Sequence, residues 1–178
     1  LTRGLGAAMY GTYSYARTLL AIAKVFAEIG SSESILRFLP EYEGSLSKQN
    51  NTLGLALLTT TIGSLVVVVS VHYFAPEINR FTLNNERFTA TLRFFIFSLP
   101  FMALLVVVAN IFRGIEKPVY QISLQKIFYP LIRLLAVGVA LYLGYSLFGV
   151  VAAFVIASAL GLLVCGDFLS TRTEFTPF

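Results

Sequence analysis

The sequence predicts an all-α integral membrane protein, a polytopic transmembrane helix bundle, and three observations carry that prediction. First, the 178 residues are 57% hydrophobic and only 12% charged, where soluble domains run at about 45–50% and about 25%. Second, charge-free runs of membrane length recur: Leu53–Val71 and Phe94–Phe112 are 19 residues each, and Leu134–Gly166 is 33. About 20 apolar residues cross the roughly 30 Å of hydrocarbon in a bilayer. Third, no period-two alternation is long enough to suggest a membrane β-barrel. A soluble globule of this size could not bury so much apolar surface.

Composition also narrows the function classes. The net charge is +4, but the basic residues are scattered rather than gathered in a patch, so no nucleic-acid partner is expected. Cys165 is the single cysteine, which excludes an intrachain disulfide or a cysteine metal cluster. His72 is the only histidine and Asp167 the only aspartate. No HExxH, GxSxG or GxxxxGK[ST] motif occurs, so neither a metal site, a cofactor nor catalysis is expected. No signal-peptide pattern opens the chain. It starts at Leu1 and stops at "STRTEFTPF", which leads to the expectation of a piece of a longer protein.

The elements follow in order. A first helix is expected over residues 8–29. The linker after it, "GSSESILRFLPEYEGSLSKQ", carries a short interfacial helix over Glu33–Phe38, stopped by Pro40. The second span, 51–73, holds a hydroxyl belt, "TTTIGS" (59–64), able to bond back to its own helix or across to a neighbour. The third, 92–113, contains Pro100, which removes a backbone donor and should kink it. The 33-residue run is too long for one ordinary span. The turn signal "LGYSLFG" (143–149) splits it into spans 121–143 and 147–168, with a single long tilted helix as the other option. In the last span Gly149, Ala153, Ala157, Gly161 and Cys165 recur every four residues, a small-residue seam for close helix packing. Short linkers make neighbouring helices antiparallel. Arg37, Lys48, Arg113, Lys117, Lys126 and Arg172 fall on one side, and Arg3, Arg80, Arg87 and Arg93 on the other. Six against four makes the first side cytoplasmic.

The first helix is the informative one. On a wheel of 100° per residue, Tyr10, Tyr13, Arg17, Lys24 and Glu28 fall within a wedge of about 60°, with Ile22, Phe26 and Ile29 opposite. A cation at the bilayer centre costs about 2.5–3.5 kcal/mol even on insertion scales, so an ionisable residue there is a functional candidate by default. Arg17, Lys24, Glu28 and, from the fourth span, Arg133 are the candidate cavity residues for substrate binding. A plainer reading stands beside this for two of them: Lys24 and Glu28 are spaced i,i+4 and can neutralise each other, and Lys24 can snorkel to the headgroups.

"RGLGAAMYGTYSYA" (3–16), with Arg3, Leu5, Gly6, Tyr10, Gly11 and Tyr13 in place, resembles the loop and second-helix start of polysaccharide flippases of the multidrug/oligosaccharidyl-lipid/polysaccharide exporter superfamily. "ILRFLPEYEG" (35–44) and "FRGIEKPVYQ" (112–121) resemble that family's next two cytoplasmic loops. The resemblance implies that residues 1–178 form a partial N-terminal transmembrane bundle, about five of some fourteen spans, in a multi-pass protein of the cytoplasmic membrane. It implies a transporter, not an enzyme, that moves lipid-linked oligosaccharide or polysaccharide repeat units by alternating access. The implied partners are a polyprenyl phosphate or diphosphate carrier, membrane lipids and a coupling ion. Cationic side chains in a dry cavity would suit the carrier's phosphate. Two alternatives remain: a drug–cation antiporter of the same superfamily, which would favour carboxylates and has only Glu28 to offer, and a non-catalytic membrane assembly subunit, which would leave Arg17 unexplained.

Overall fold

The computed structural model describes residues 7–28, 31–42, 44–82, 85–114 and 118–172. Among them there are helices and turns and no strand. The helices are α1 (Ala7–Ala27), α2 (Ser31–Glu41), α3 (Leu46–Phe81), α4 (Glu86–Phe95), α5 (Leu99–Gly114), α6 (Pro118–Ile122), α7 (Tyr129–Tyr142) and α8 (Leu147–Arg172). A 3₁₀ turn, Ile96–Ser98, joins α4 to α5, and a π-helical segment, Ser123–Phe128, joins α6 to α7. Arg3, Leu5, Gly6, Ile29 and Lys117, named above, lie outside the described residues.

Four stretches are long and apolar enough to cross a membrane: Leu46–Phe81, Arg87–Gly114, Val119–Tyr142 and Leu147–Asp167. The chain is thus an all-α, multi-pass membrane protein. The helix expected as the first span forms as the 21-residue α1, but Thr12, Ser14, Arg17, Thr18 and Lys24 lower its apolarity and it is not among these four. Arg87–Gly114 is the central rod, with 61% of its most apolar stretch buried against 17–39% for the others. Phe95, Ile96, Leu99 and Ala103 of this rod pack on Val150, Val151 and Phe154 of α8, Leu20 of α1 and Val137 of α7. Nearer the end of α5, Val107, Ile111 and Phe112 pack on Ile35 and Leu39 of α2 and Leu53 and Ala56 of α3. Leu55, Leu58, Ile62, Val66 and Val69 of α3 stay exposed on the outside, the side that lipid would cover.

Three prolines lie in or at the joints of the membrane-length helices, and each is accommodated by a different device. Pro100 removes the N–H that would reach the Ile96 carbonyl. The chain tightens to 3₁₀ there, and the Leu99 N–H takes that carbonyl instead. Pro130 follows the π segment, in which the Tyr129 N–H reaches back to Leu124. The wider turn relieves the proline ring of its clash with the preceding carbonyls. Pro76 sits inside α3, which runs on to Phe81, whereas the sequence places the end of that span at residue 73. The carbonyl Pro76 leaves unpaired is that of His72, and Arg93 Nε from α4 donates to it at 3.3 Å. A tertiary donor thus carries the helix past its proline.

The first linker departs from expectation in the same manner. Pro40 does not stop α2; it lies in the last turn of a helix that ends at Glu41. The Tyr42 N–H reaches the Phe38 carbonyl at 3.1 Å, and buried Gln49 donates to the Leu39 carbonyl at 3.2 Å. Ile35 and Leu39 are fully buried, so α2 is docked in the bundle by one face. Gly114 permits this approach, since a Cβ there would stand 2.8 Å from Leu39 Cδ2. The turn after α7 closes through left-handed Gly144, φ 72°, with the Tyr145 N–H on the Ala140 carbonyl at 3.0 Å. That is a Schellman cap, and it makes α7 and α8 a helical hairpin.

Candidate functional site

The seam between α1 and the rest of the bundle is set by residue size. Ala16, Leu20, Ala23 and Ala27 face the core, while Ile22, Val25 and Phe26 face outward. A membrane helix gains little by hiding a large apolar side chain from lipid, but small residues let backbones approach closely. The crossing of α1 and α3 is close: a Cβ on Gly63 would lie 3.2 Å from the Ala27 carbonyl oxygen. The polar wedge of α1 therefore lies along one edge of the buried seam. Tyr13, at the edge of the wedge next to the core, is buried, with its ring edge-on to Phe95 at 5.4 Å. Arg17, one turn on, is exposed.

Arg133 comes to the same place from α7. Its guanidinium lies 5.7 Å from the Tyr129 ring centre and 5.4 Å from that of Phe154. Both rings are held from behind. Phe154 packs on Phe95 with centroids 4.7 Å apart. The Tyr129 hydroxyl lies 3.1 Å from Ser158 Oγ, and Ser158 uses its own proton on the Phe154 carbonyl at 2.9 Å. Tyr129 is accordingly the donor of that pair. Arg133 is linked to Tyr13 through the rings of Phe154 and Phe95, and Arg17 follows Tyr13 by one turn of α1.

Lys24 and Glu28 stand apart from this cluster. Lys24 lies seven residues beyond Arg17, about 10 Å along the helix axis. Its ammonium is 3.3 Å from Glu28 Oε1, and their side chains are 26% and 19% exposed. The four candidates therefore divide into a two-arginine cluster around Tyr13 and a neighbouring ion pair. The hydroxyl belt takes no part in either. Thr59, Thr60, Thr61 and Ser64 each bond a carbonyl of α3 itself. Among the described residues no group of three or more His, Cys, Asp or Glu is placed to hold a metal ion.

Two parts of this arrangement escaped the sequence reading. One is the aromatic bed of Arg133, Tyr129 and Phe154, whose residues are 25 positions apart in the chain. The other is the π segment that aims Tyr129 and Arg133 into the bundle. Pro130, inside an apolar run, was the available signal for it. The small-residue seam of α8 has a specific use here: a Cβ on Gly161 would lie 2.8 Å from Tyr129 Cδ2 and 3.1 Å from Leu105 Cδ1. Only glycine leaves room for the tyrosine that Arg133 covers.

Four membrane-length apolar helices define the class: a multi-pass α-helical membrane protein. The sequence profile of the polysaccharide biosynthesis protein family matches residues 1–176, and the chain belongs to that family. No curated protein and no solved structure matches it.

Proposed function

We propose that this chain is part of a flippase of the multidrug/oligosaccharidyl-lipid/polysaccharide exporter superfamily. It moves lipid-linked oligosaccharide or polysaccharide repeat units across the cytoplasmic membrane by alternating access, and it is a transporter rather than an enzyme. The observation that supports the reading is that Arg133 rests on Phe154, whose ring packs through Phe95 to Tyr13, one helical turn before Arg17 on α1. A carrier phosphate or diphosphate is the natural guest for two guanidiniums, since arginine's planar fork can give a phosphate two charge-assisted hydrogen bonds. Membership of a polysaccharide biosynthesis family supplies the sugar. In this reading Lys24 and Glu28 line the same path, two turns away. The drug–cation antiporter reading is weaker, because it needs an available carboxylate and Glu28 is ion-paired.

The test is translocation of an oligosaccharide–lipid into liposomes by the product of the complete reading frame. Arg17→Ala should nearly abolish it while insertion and helicity stay normal. Arg17→Lys keeps the charge but loses the fork, and should retain partial activity. Wild-type transport by Arg17→Ala would overturn the proposal.

A further inference from the structure

Away from the cluster, α3 and α4 enclose a groove of about 800 Å³. His72, Pro76, Arg80, Arg93, Phe94 and Phe97 line it, and among the described residues no carboxylate does. Its position along the membrane follows from the chain. On α4 the charge-free run Phe94–Phe112 begins just after Arg93, and His72 of α3 lies beside it, its carbonyl accepting from Arg93 Nε. At 1.5 Å per residue that 19-residue run spans about 28 Å, close to the hydrocarbon thickness. His72 and Arg93 therefore sit together where hydrocarbon gives way to headgroups. Arg80 is about 12 Å farther along the axis, with a side chain long enough to reach back. Exposed Tyr73, Phe74, Phe94 and Phe97 surround this level, as aromatic belts do at a membrane interface.

Among the described residues no carboxylate forms an ion pair with the cations of the groove. Arg93 gives one of its five donors to the His72 carbonyl. That bond fixes the guanidinium in place and leaves four donors for other use. Arg80 is exposed, and no carboxylate pairs with it among the described residues. A concave, aromatic-floored groove with two guanidiniums at headgroup depth calls for a ligand with an anionic, tetrahedral oxygen cluster on an apolar stem.

We infer that the groove between α3 and α4 is a binding site for a phosphate borne on a lipid, with Arg80 and Arg93 holding the phosphate oxygens and Phe94 and Phe97 packing against the stem. It is distinct from the Arg17–Arg133 cluster and does not depend on the transport reading. The phosphate has two sources, a phospholipid headgroup or a prenyl phosphate.

Native mass spectrometry of the purified protein, titrated with phosphatidylglycerol, geranylgeranyl phosphate or phosphate-free dioleoylglycerol, separates them. Arg80→Gln should weaken one or both phosphate lipids by about tenfold, the value of one charge-assisted hydrogen bond. Adding Arg93→Lys, which keeps a donor for the His72 carbonyl, should weaken them further. Dioleoylglycerol binding should not change, and Arg17→Ala should retain the Arg80-sensitive binding. Loss of phosphatidylglycerol alone identifies a headgroup site, and loss of the prenyl phosphate alone identifies a carrier site. Affinities for both within about twofold of wild type in the double variant, with helicity intact, would overturn the inference.

Discussion

Arg133 and Arg93 are both half-buried arginines on apolar helices, and the bundle holds them in opposite ways. Arg133 lies over two ring faces, Tyr129 and Phe154. Arg93 is tied to a backbone carbonyl, that of His72, which Pro76 leaves without its helical donor. A ring face attracts a cation through its quadrupole and takes up none of its N–H donors. A carbonyl does take one, and the bond also completes a helix. An arginine on rings is thus fixed in position yet keeps its whole fork for a guest. An arginine on a carbonyl is partly a structural tie. Substitutions at the two positions should therefore fail differently, and that difference can be measured.

Between these two arginines the larger effect on transport is expected at Arg133. On the transport reading, Arg133→Ala removes donors from a phosphate, each worth about 1.5–3 kcal/mol, so translocation should fall about tenfold to a hundredfold. Its thermal midpoint in detergent should move little, because the two rings pack on their own partners. Arg93→Ala should do the reverse, with the midpoint falling and the cluster around Tyr13 intact. Equal losses of stability at both positions would erase the distinction between a cation on rings and a cation on a carbonyl.

Next is Gly161, which tests whether the bed of Arg133 is as tightly built as the distances imply. A Cβ there meets Tyr129 at 2.8 Å and Leu105 at 3.1 Å. Gly161→Val should destabilise by about 1–3 kcal/mol, as overpacked cores do. It should lower transport as well, because the Tyr129 ring must shift under Arg133. The same change at Gly138, whose Cβ would meet nothing within 4 Å, is the control and should alter neither.

The tie at Arg93 can be isolated with a double-mutant cycle. Arg93→Ala leaves the His72 carbonyl without its guanidinium donor and should lower stability by about 1–2 kcal/mol. Pro76→Ala restores the N–H that an uninterrupted helix would offer that carbonyl. In the Pro76→Ala background Arg93→Ala should then cost about 0.5–1 kcal/mol less than in the wild type. Strictly additive melting shifts would mean that Arg93 does not act through the freed carbonyl.

These contrasts also mark what a linear reading of the chain can see. The charge-free runs locate the membrane-length helices because the demand for an unbroken apolar stretch is local. The run of α3 past Pro76 is hidden, because the donor that rescues it lies 21 residues away on another helix. The wheel for α1 puts Tyr13 and Arg17 in one wedge but does not say which side packs: Tyr13 is buried and Arg17 exposed. Hydrophobicity cannot distinguish lipid from core, and only size does, with Ala16, Ala23 and Ala27 in and Ile22, Val25 and Phe26 out. For the same reason α2, read as lying at the interface, has Ile35 and Leu39 in the core. Arg133 is visible in the sequence as a charge in an apolar run. Its rings are not, since Phe154 joins it only through the hairpin that Gly144 closes.

The smallest effect is expected at the ion pair, and it bounds the cluster on α1. Lys24 and Glu28 are partly exposed and 3.3 Å apart, a geometry in which the net contribution of a pair is typically under about 1 kcal/mol. If their role is mutual neutralisation, Lys24→Ala should be worse than the removal of both. It truncates one member of a partly buried ion pair, which costs more than removing both. The double variant Lys24→Ala with Glu28→Ala should then transport at close to the wild-type rate and melt within about 0.5 kcal/mol of it. Translocation and thermal melting measured on the two single variants and the double close the cycle. A double variant as inactive as Arg17→Ala would place the pair in the substrate's path, and the site would extend at least two turns along α1 beyond Arg17.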